Sequence, residues 1–347
     1  MRRRLGLRWL GRLLGGAALA LLLLLAAAYV VSADVRYVVR VAVEEAGILL
    51  RRRPITDVAA DSSTDPATRA KLLLVLAARE FAAESLGLEA GQTYTTYSRV
   101  GRDTLVLLLS ASRSDRLAPY TWRYPIVGRV PYKGFFSFEQ AARAARQLER
   151  AGLDTYIRPA NAYSTLGWFE DPLLSTIVRE DSAELVATVI HEITHNTVFV
   201  PGHVDFNESF ASLVGYRGAE QFFRSRGDRR NAERAAARWR DELRLGRFYA
   251  NLVEQLERLY APGIAGPQLR EARIELFRMA LARLAGGLER TLETIDGRRL
   301  SERPLNNAVV LASRVYRTNL DALERLVQRS GGLRAAVERV KRGTGGG

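Results

Sequence analysis

All three histidines of this 347-residue chain lie in one short window, as His191, His195 and His203. Two of them stand four residues apart in the frame His191-Glu192-x-x-His195. Residues at that spacing lie on the same face of a helix, so both imidazoles can bind one metal ion. A catalytic zinc ion has three protein ligands and keeps a fourth position for water. The frame therefore predicts a zinc site that needs one further ligand.

Three side chains after this frame are candidates for that ligand: His203, Asp205 and Glu208. His203 does not fit the frame of the three-histidine proteases, in which a glycine and the third histidine follow at fixed positions. Glu208 lies in the sequence NESFA of residues 207–211, which predicts the first turns of a second helix after a Pro-Gly break. The alternative for Glu208 is a capping box with Asp205. We predict that Glu208 and the two histidines of the frame bind one zinc ion per chain.

Glu192 is the candidate general base, because it lies beside a ligand on the same helix. It would take a proton from the water that zinc activates and pass it to the leaving amine. The oxyanion needs a further donor, and with the histidines assigned the candidates are Tyr163 and Tyr316. The alternative for the histidine frame taken alone is a chance pattern on an amphipathic helix. The frame and Glu208 together, in this order, favour hydrolytic zinc chemistry.

The stretch that carries the frame has the signals of a helix with one buried face. Asp181 and Glu184 match a capping box at its start. The apolar residues that follow are Leu185, Val186, Val189, Ile190 and Ile193. We expect this face to lie in the core and the histidines to lie along its edge.

The predicted secondary structure differs between the segments before and after this helix. Before it, the patterns predict helices over 34–50, 67–86 and 138–151, and strands over 94–100, 104–109, 120–131 and 154–159. After residue 217 they predict helices over 242–260, 268–284, 308–329 and 333–341. This order indicates an α+β fold with a mixed α/β half of residues 63–216 and a mainly helical half of residues 217–347.

Several segments resemble a bacterial family described as zinc aminopeptidases. The most specific part is the order AYSTLGWFEDP, HEITH and FNESFA, which begin at residues 162, 191 and 206. Segments 125–136 and 305–308 add to the resemblance, which extends from about residue 35 nearly to the C-terminus. The order HExxH then NExxA is similar to that of the Glu-zincins, whose third ligand is the glutamate of the second motif. The resemblance implies a zincin-like α/β half, zinc and peptide substrates. A lipoprotein cysteine, common in such proteins, is missing here.

The resemblance also implies where a peptide would bind. Zinc peptidases place an edge strand before the metal helix, and Ala162–Trp168 fits one that pairs with the substrate backbone. Its predicted contacts are Ser164, Thr165, Gly167 and Trp168. Glu170 or Asp171 would bind the free amino terminus of an aminopeptidase substrate, although Asp171-Pro172 equally suggests a turn. Asn306 and Asn307 would line the same cleft, with helix capping as the alternative.

The N-terminus predicts a membrane anchor. Leu13–Val31 is an uncharged run of 19 residues, about enough helix to cross a bilayer. Five arginines precede it, at positions 2, 3, 4, 8 and 12. This asymmetry predicts a single-pass inner-membrane protein, with residues 1–33 as cytoplasmic tip and transmembrane helix, and residues 34–62 as juxtamembrane helix and linker. The catalytic part would be periplasmic. The alternative is a signal peptide cleaved near Val31-Ser32-Ala33, which would release the protein to the periplasm.

Composition excludes some classes of protein. The formal charge is +14, but the arginines are spread over many predicted helices, so we expect no nucleic-acid partner. The absence of cysteine excludes disulfides and thiol ligands. We expect a zinc metallopeptidase that acts on peptide amino termini. The alternatives are a membrane-associated zinc endopeptidase and a non-catalytic protein that binds zinc and peptides.

Overall fold

The computed structural model describes residues 16, 17, 19, 23, 24, 26, 27, 29–101, 106–124, 128–160, 172–261, 263 and 265–344. The chain divides into two compact units, Met1–Arg52 and Arg53–Gly347. Helix α1, Ala33–Leu50, belongs to the first unit. The hydroxyl of Ser32 caps this helix by accepting a hydrogen bond from the backbone N–H of Val35, at 3.3 Å.

The predicted transmembrane helix is wrong. Within the described residues, no helix combines the length and the apolar character that a bilayer crossing requires. Helix α1 is 18 residues long and carries charges at Arg36, Arg40, Glu44 and Glu45, which are costly in a hydrocarbon core. Nine of the 19 residues of the predicted span, Leu13–Val31, lie outside the described residues. The prediction of a single-pass inner-membrane protein was therefore wrong, and the described residues give no support to membrane attachment through an N-terminal helix.

Three small sheets belong to the second unit. The strands are β1 (Arg53–Pro54), β2 (Thr96–Ser98), β3 (Val106–Arg113), β4 (Trp122–Tyr124), β5 (Gly128–Val130), β6 (Tyr132–Phe135), β7 (Leu153–Ala160) and β8 (Leu173–Leu174). The strand orders are β1-β2-β8, β6-β3-β7 and β4-β5 among the described residues. In the second sheet β3 is antiparallel to both neighbours, so Leu108 pairs with Gly134 on one side and Arg158 on the other. This register places Arg158 on the outer strand of the sheet.

Helices make up most of the second unit. They are α2 (Ile55–Ala60), α3 (Pro66–Glu84), α4 (Phe138–Arg150), α5 (Ser175–Val178), α6 (Ser182–Thr197), α7 (Val204–Ser225), α8 (Arg229–Leu259), α9 (Gly266–Arg283), α10 (Gly297–Ser301), α11 (Asn307–Arg314), α12 (Leu320–Ser330) and α13 (Leu333–Thr344). A π-helical turn, Leu284–Leu288, and a 3₁₀ turn, Glu289–Thr291, follow α9. The structure is therefore mixed α/β and mainly helical, and the predicted fold class is corrected by the absence of a membrane-spanning helix among the described residues.

The core beside the predicted zinc site is formed by α6 and α7. Every apolar residue predicted for the buried face of α6, from Leu185 to Ile193, is buried. Gly215 on α7 lets the two helices approach closely: a Cβ atom built there would lie 2.7 Å from the carbonyl oxygen of Ala187 and 3.3 Å from Cβ of His191. The packing of these helices thus sets the position of the histidines.

Candidate metal centre

Helix α6 begins and orients the two histidines as its sequence predicts. The Asp181 carboxylate caps it by accepting hydrogen bonds from the backbone N–H groups of Ala183 and Glu184. With the apolar face buried, His191 and His195 emerge one turn apart along the edge of that face. Their Nε2 atoms lie 3.2 Å from each other, and their rings are nearly perpendicular at 81°.

Glu208 reaches both histidines from the first turns of α7. The short connection between the helices is held by Asn207, whose side-chain amide bonds both the N–H and the carbonyl of Val200, at 2.9 Å each. The Oε2 atom of Glu208 lies 3.3 Å from Nε2 of His191. Its Oε1 atom lies 3.7 Å from Nε2 of His195. The carboxylate therefore faces the histidines of the neighbouring helix.

The three side chains fit a metal ion. Their ligand atoms all lie within 4.8 Å of one another. Among the described residues, these three form the cluster of histidine and acidic side chains that could hold a metal ion. Zinc bonds of 2.0–2.2 Å at tetrahedral angles place ligand atoms about 3.3–3.5 Å apart, which matches the observed separations. His203, the N-cap residue of α7, and Asp205 lie outside the group. One ion could be held here by two imidazole nitrogens and one carboxylate.

The electrostatics of the three groups are coupled. Burial disfavours a proton on His191, but the hydrogen bond to Glu208 and the charges of Glu192 and Glu208 outweigh it and raise the pKa of His191. Burial and the neighbouring His191 lower the pKa of His195 to about 4. Burial opposes the charge of Glu208, yet its contact with His191 leaves the pKa of that carboxyl below its usual value. The pocket thus favours a carboxylate at Glu208 and a neutral imidazole at His195, whereas His191 must lose its proton to bind a metal ion.

A family model described as "Putative aminopeptidase" matches residues 36–343. The chain belongs to this family. No curated protein and no solved structure matches it. The family description implies peptide substrates, and this support for the predicted substrates does not depend on the geometry of the candidate metal site.

Glu192 and Tyr316 lie near the three candidate metal ligands of this protein. The charge of Glu192 contributes to raising the pKa of both His191 and Tyr316. Burial is the largest cause of the raised pKa of the Tyr316 hydroxyl, followed by the charge of Glu208. Both predicted catalytic side chains that the structure describes are therefore within electrostatic reach of the metal ligands.

The predicted substrate segment lies outside the described residues. This applies to Tyr163, Ser164, Thr165, Gly167, Trp168, Glu170 and Asp171. Their predicted roles stay predictions.

Asn307 is buried among backbone groups. Its amide NH₂ donates to the carbonyls of Arg113 and Arg116, and its amide oxygen accepts from the hydroxyl of Tyr260 at 2.8 Å. Asn306 caps α11 by accepting from the N–H of Val309, which is the alternative considered for the Asn-Asn pair. The structure does not bring Asn307 together with the metal-binding group, and its substrate role is still only predicted.

Two residues beside the candidate metal centre, Tyr132 on β6 and Arg158 on β7, were not predicted from the sequence. The charge of Arg158 contributes to lowering the pKa of Glu208, and Glu208 contributes to raising that of Tyr132, whose largest cause is burial. Tyr132 lies in segment 125–136, one of the segments that carry the family resemblance. Its position there could have indicated a residue of the site. Arg158 had none, because an arginine in a strand has no local signature of a site.

Proposed function

We propose that this protein is a zinc-dependent aminopeptidase of the Glu-zincin type. The observation that carries the proposal is the convergence of His191, His195 and Glu208, from two helices, in a chain of the aminopeptidase family. Two imidazoles and one carboxylate are the ligand set of zinc peptidases, and they leave one coordination position open. Two imidazole nitrogens and a carboxylate within 4.8 Å of one another, in a half-buried site, form a ligand set that suits a divalent cation such as zinc.

Zinc, when bound, polarises the scissile carbonyl and lowers the pKa of water toward neutrality. Glu192 follows His191 directly on α6, so its side chain is rotated by about 100° from that ligand. This direction suits a carboxylate that accepts a proton from water and returns it to the leaving amine. Glu192 is therefore the proposed general base.

Tyr316 is the described candidate for oxyanion stabilisation. Because its pKa is raised by burial and by the charge of Glu208, its hydroxyl keeps its proton at neutral pH and can donate a hydrogen bond. Tyr163 is the second candidate, from the segment outside the described residues. In the same segment, Ser164, Thr165, Gly167 and Trp168 are proposed to pair with the substrate backbone, and Glu170 or Asp171 to bind its amino terminus.

Trimming of a peptide library by the zinc-loaded protein tests this function. We expect loss of single residues from free amino termini, abolished by a chelator and restored by zinc. Peptides with acetylated amino termini are the matched control and should remain intact. Cleavage of internal bonds would instead support an endopeptidase. Zinc binding at one ion per chain with no hydrolysis would support a protein that only binds zinc and peptides.

A further inference from the structure

A cavity of about 270 Å³ lies along α7 beyond the metal centre. Tyr156 and Arg158 of β7, Ser212 and Tyr216 of α7, and Tyr316 contribute to its wall. Tyr156 and Arg158 are two residues apart on one strand, so both can face it. The volume is sufficient for one side chain of a substrate.

The cavity lies on the face of α7 that carries Glu208, the proposed metal ligand. Ser212 and Tyr216 follow Glu208 at intervals of four residues, and residues at that spacing share one face of a helix. Each interval advances the helix by about 6 Å. An extended peptide advances about 3.3 Å per residue, so a side chain next to the scissile bond could reach this cavity.

The charge of the cavity wall is mainly positive. It contains Arg158, Arg238 and Arg317, with Glu242 as the carboxylate among its lining residues. Arg238 and Arg317 both pair with Glu242, at 3.1 Å and 2.6 Å. Arg238 also lies 3.4 Å from Glu184. These two arginines are therefore neutralised by the protein's own carboxylates.

Arg158 differs from the other two arginines. In the described part of the chain no carboxylate forms an ion pair with it, whereas Arg238 and Arg317 both pair with Glu242. The Nε atom of Arg158, like that of Arg317, is buried without a hydrogen-bond partner. Its guanidinium carbon lies 5.8 Å from the ring centre of Tyr316. A buried donor without a partner is costly, and a guanidinium offers the paired donors that match a carboxylate. Arg158 is thus a cation held beside the metal centre with part of its binding capacity unused.

We propose that Arg158 and this cavity bind a carboxylate of the substrate, so that the protein prefers peptides with an acidic group beside the scissile bond. The inference rests on the proposed aminopeptidase function and names its substrate class. The carboxylate has two sources, the side chain of an aspartate or glutamate and the terminal carboxylate of a short peptide. A hydrogen-bonded charge pair of this kind changes affinity by about 10- to 100-fold.

Calorimetry on zinc-loaded Glu192→Gln protein measures the preference without requiring hydrolysis. The ligands are matched pairs: Glu-Ala-Ala-amide against Gln-Ala-Ala-amide, Ala-Glu-Ala-amide against Ala-Gln-Ala-amide, and Ala-Ala against Ala-Ala-amide. We expect the acidic member of at least one pair to bind about 10- to 100-fold more tightly. The first two pairs report a side-chain carboxylate and the third a terminal one. Equal affinity within all three pairs would overturn the proposal.

Arg158→Gln, added to the same background, should bind both members of the preferred pair about equally. Arg113→Gln is the matched control, because it removes the same charge from the adjacent strand, where Arg113 pairs with Asp115. It should keep the preference. Ser212→Asp provides a second route, since it adds a carboxylate to the wall and leaves Arg158 in place; it should also abolish the preference. Retention of the preference in folded Arg158→Gln, or in Ser212→Asp if Arg158→Gln does not fold, would contradict the proposal.

The outcomes for this site and for the proposed function are separable. Acid preference in binding, with no hydrolysis of any peptide by the parent protein, would contradict the aminopeptidase function and retain the carboxylate site. Trimming of peptide amino termini by the parent protein, with no acid preference in binding, would retain the function and contradict the site.

Discussion

Glu208 is the single residue through which α7 completes the metal site on α6. Its two carboxylate oxygens face the two histidines at 3.3 Å and 3.7 Å. Glu208→Ala removes one of three proposed ligands, so we expect zinc affinity to fall by more than about 100-fold, beyond the loss typical for a residue that only hydrogen-bonds to a ligand. Competition with a chromophoric chelator measures this affinity.

Asp205→Ala is the control for that substitution, because Asp205 lies in the first turn of α7, three residues before Glu208, and outside the group of candidate ligands. It should bind zinc like the parent. Full zinc affinity in Glu208→Ala would move the third ligand to His203 or Asp205.

The candidate metal ligands could be predicted from the sequence, because the spacing of the residues indicates which side chains can meet. His191 and His195 share a helix face by their four-residue interval, and Glu208 sits in a motif of its own. Arg158 could not be predicted, because its place near Glu208 depends on the register of β7 against β3. Long-range pairing of that kind leaves no mark in the local sequence.

At the scale of elements, Gly215 controls how closely α6 and α7 pack beside the metal ligands. An alanine Cβ there would lie 2.7 Å from the carbonyl oxygen of Ala187. Because that oxygen belongs to the backbone of α6, the clash can be relieved only if the two helices move apart. We expect Gly215→Ala to lower the free energy of unfolding by about 1–3 kcal/mol and to weaken zinc binding, since His191 lies at the same contact. Urea denaturation and zinc titration measure the two effects.

Gly286→Ala is the control for this overpacking, because a Cβ atom at Gly286 would meet nothing within 4 Å. It should leave both zinc affinity and stability close to those of the parent. If Gly215→Ala matched the parent in both measurements, the close approach of the helices would not position the site.

The elements themselves were predicted unevenly. Helix α6 was predicted well because Asp181 supplies its cap and five apolar residues define its buried face. The two-residue strands β1 and β8 were missed. Such strands exist only through pairing with β2, and no periodicity can develop over two residues.

At the scale of the whole molecule, Asn307 ties the central sheet to the C-terminal helices. Its backbone N–H donates to Asp154 on β7 at 2.8 Å, and its fully buried amide bonds Tyr260 and two carbonyls. Because Asn307→Ala would remove three hydrogen bonds of a buried amide, we expect a loss of about 1–3 kcal/mol in the free energy of unfolding and an unchanged KM for peptides. Thermal denaturation and steady-state kinetics check the two parts. A raised KM in a variant of parental stability would instead support the predicted substrate role.

The largest error of prediction also belongs to this scale. An uncharged run of suitable length suggested a bilayer crossing, but the described helices do not include one that could span it. The division into residues 63–216 and 217–347 stays a prediction. The described helix beside that run, α1, carries charges at Arg36, Arg40, Glu44 and Glu45, which are costly in a hydrocarbon core.

In the proposed mechanism, Glu192 acts as a base beside a zinc ion held by His191, His195 and Glu208. Kinetics of Glu192→Gln test it most directly, because the amide keeps the size of the side chain but cannot accept a proton at neutral pH. We expect zinc content and thermal stability equal to those of the parent, and peptide hydrolysis slower by about two orders of magnitude or more. Hydrolysis by zinc-loaded Glu192→Gln at the parental rate would contradict this mechanism.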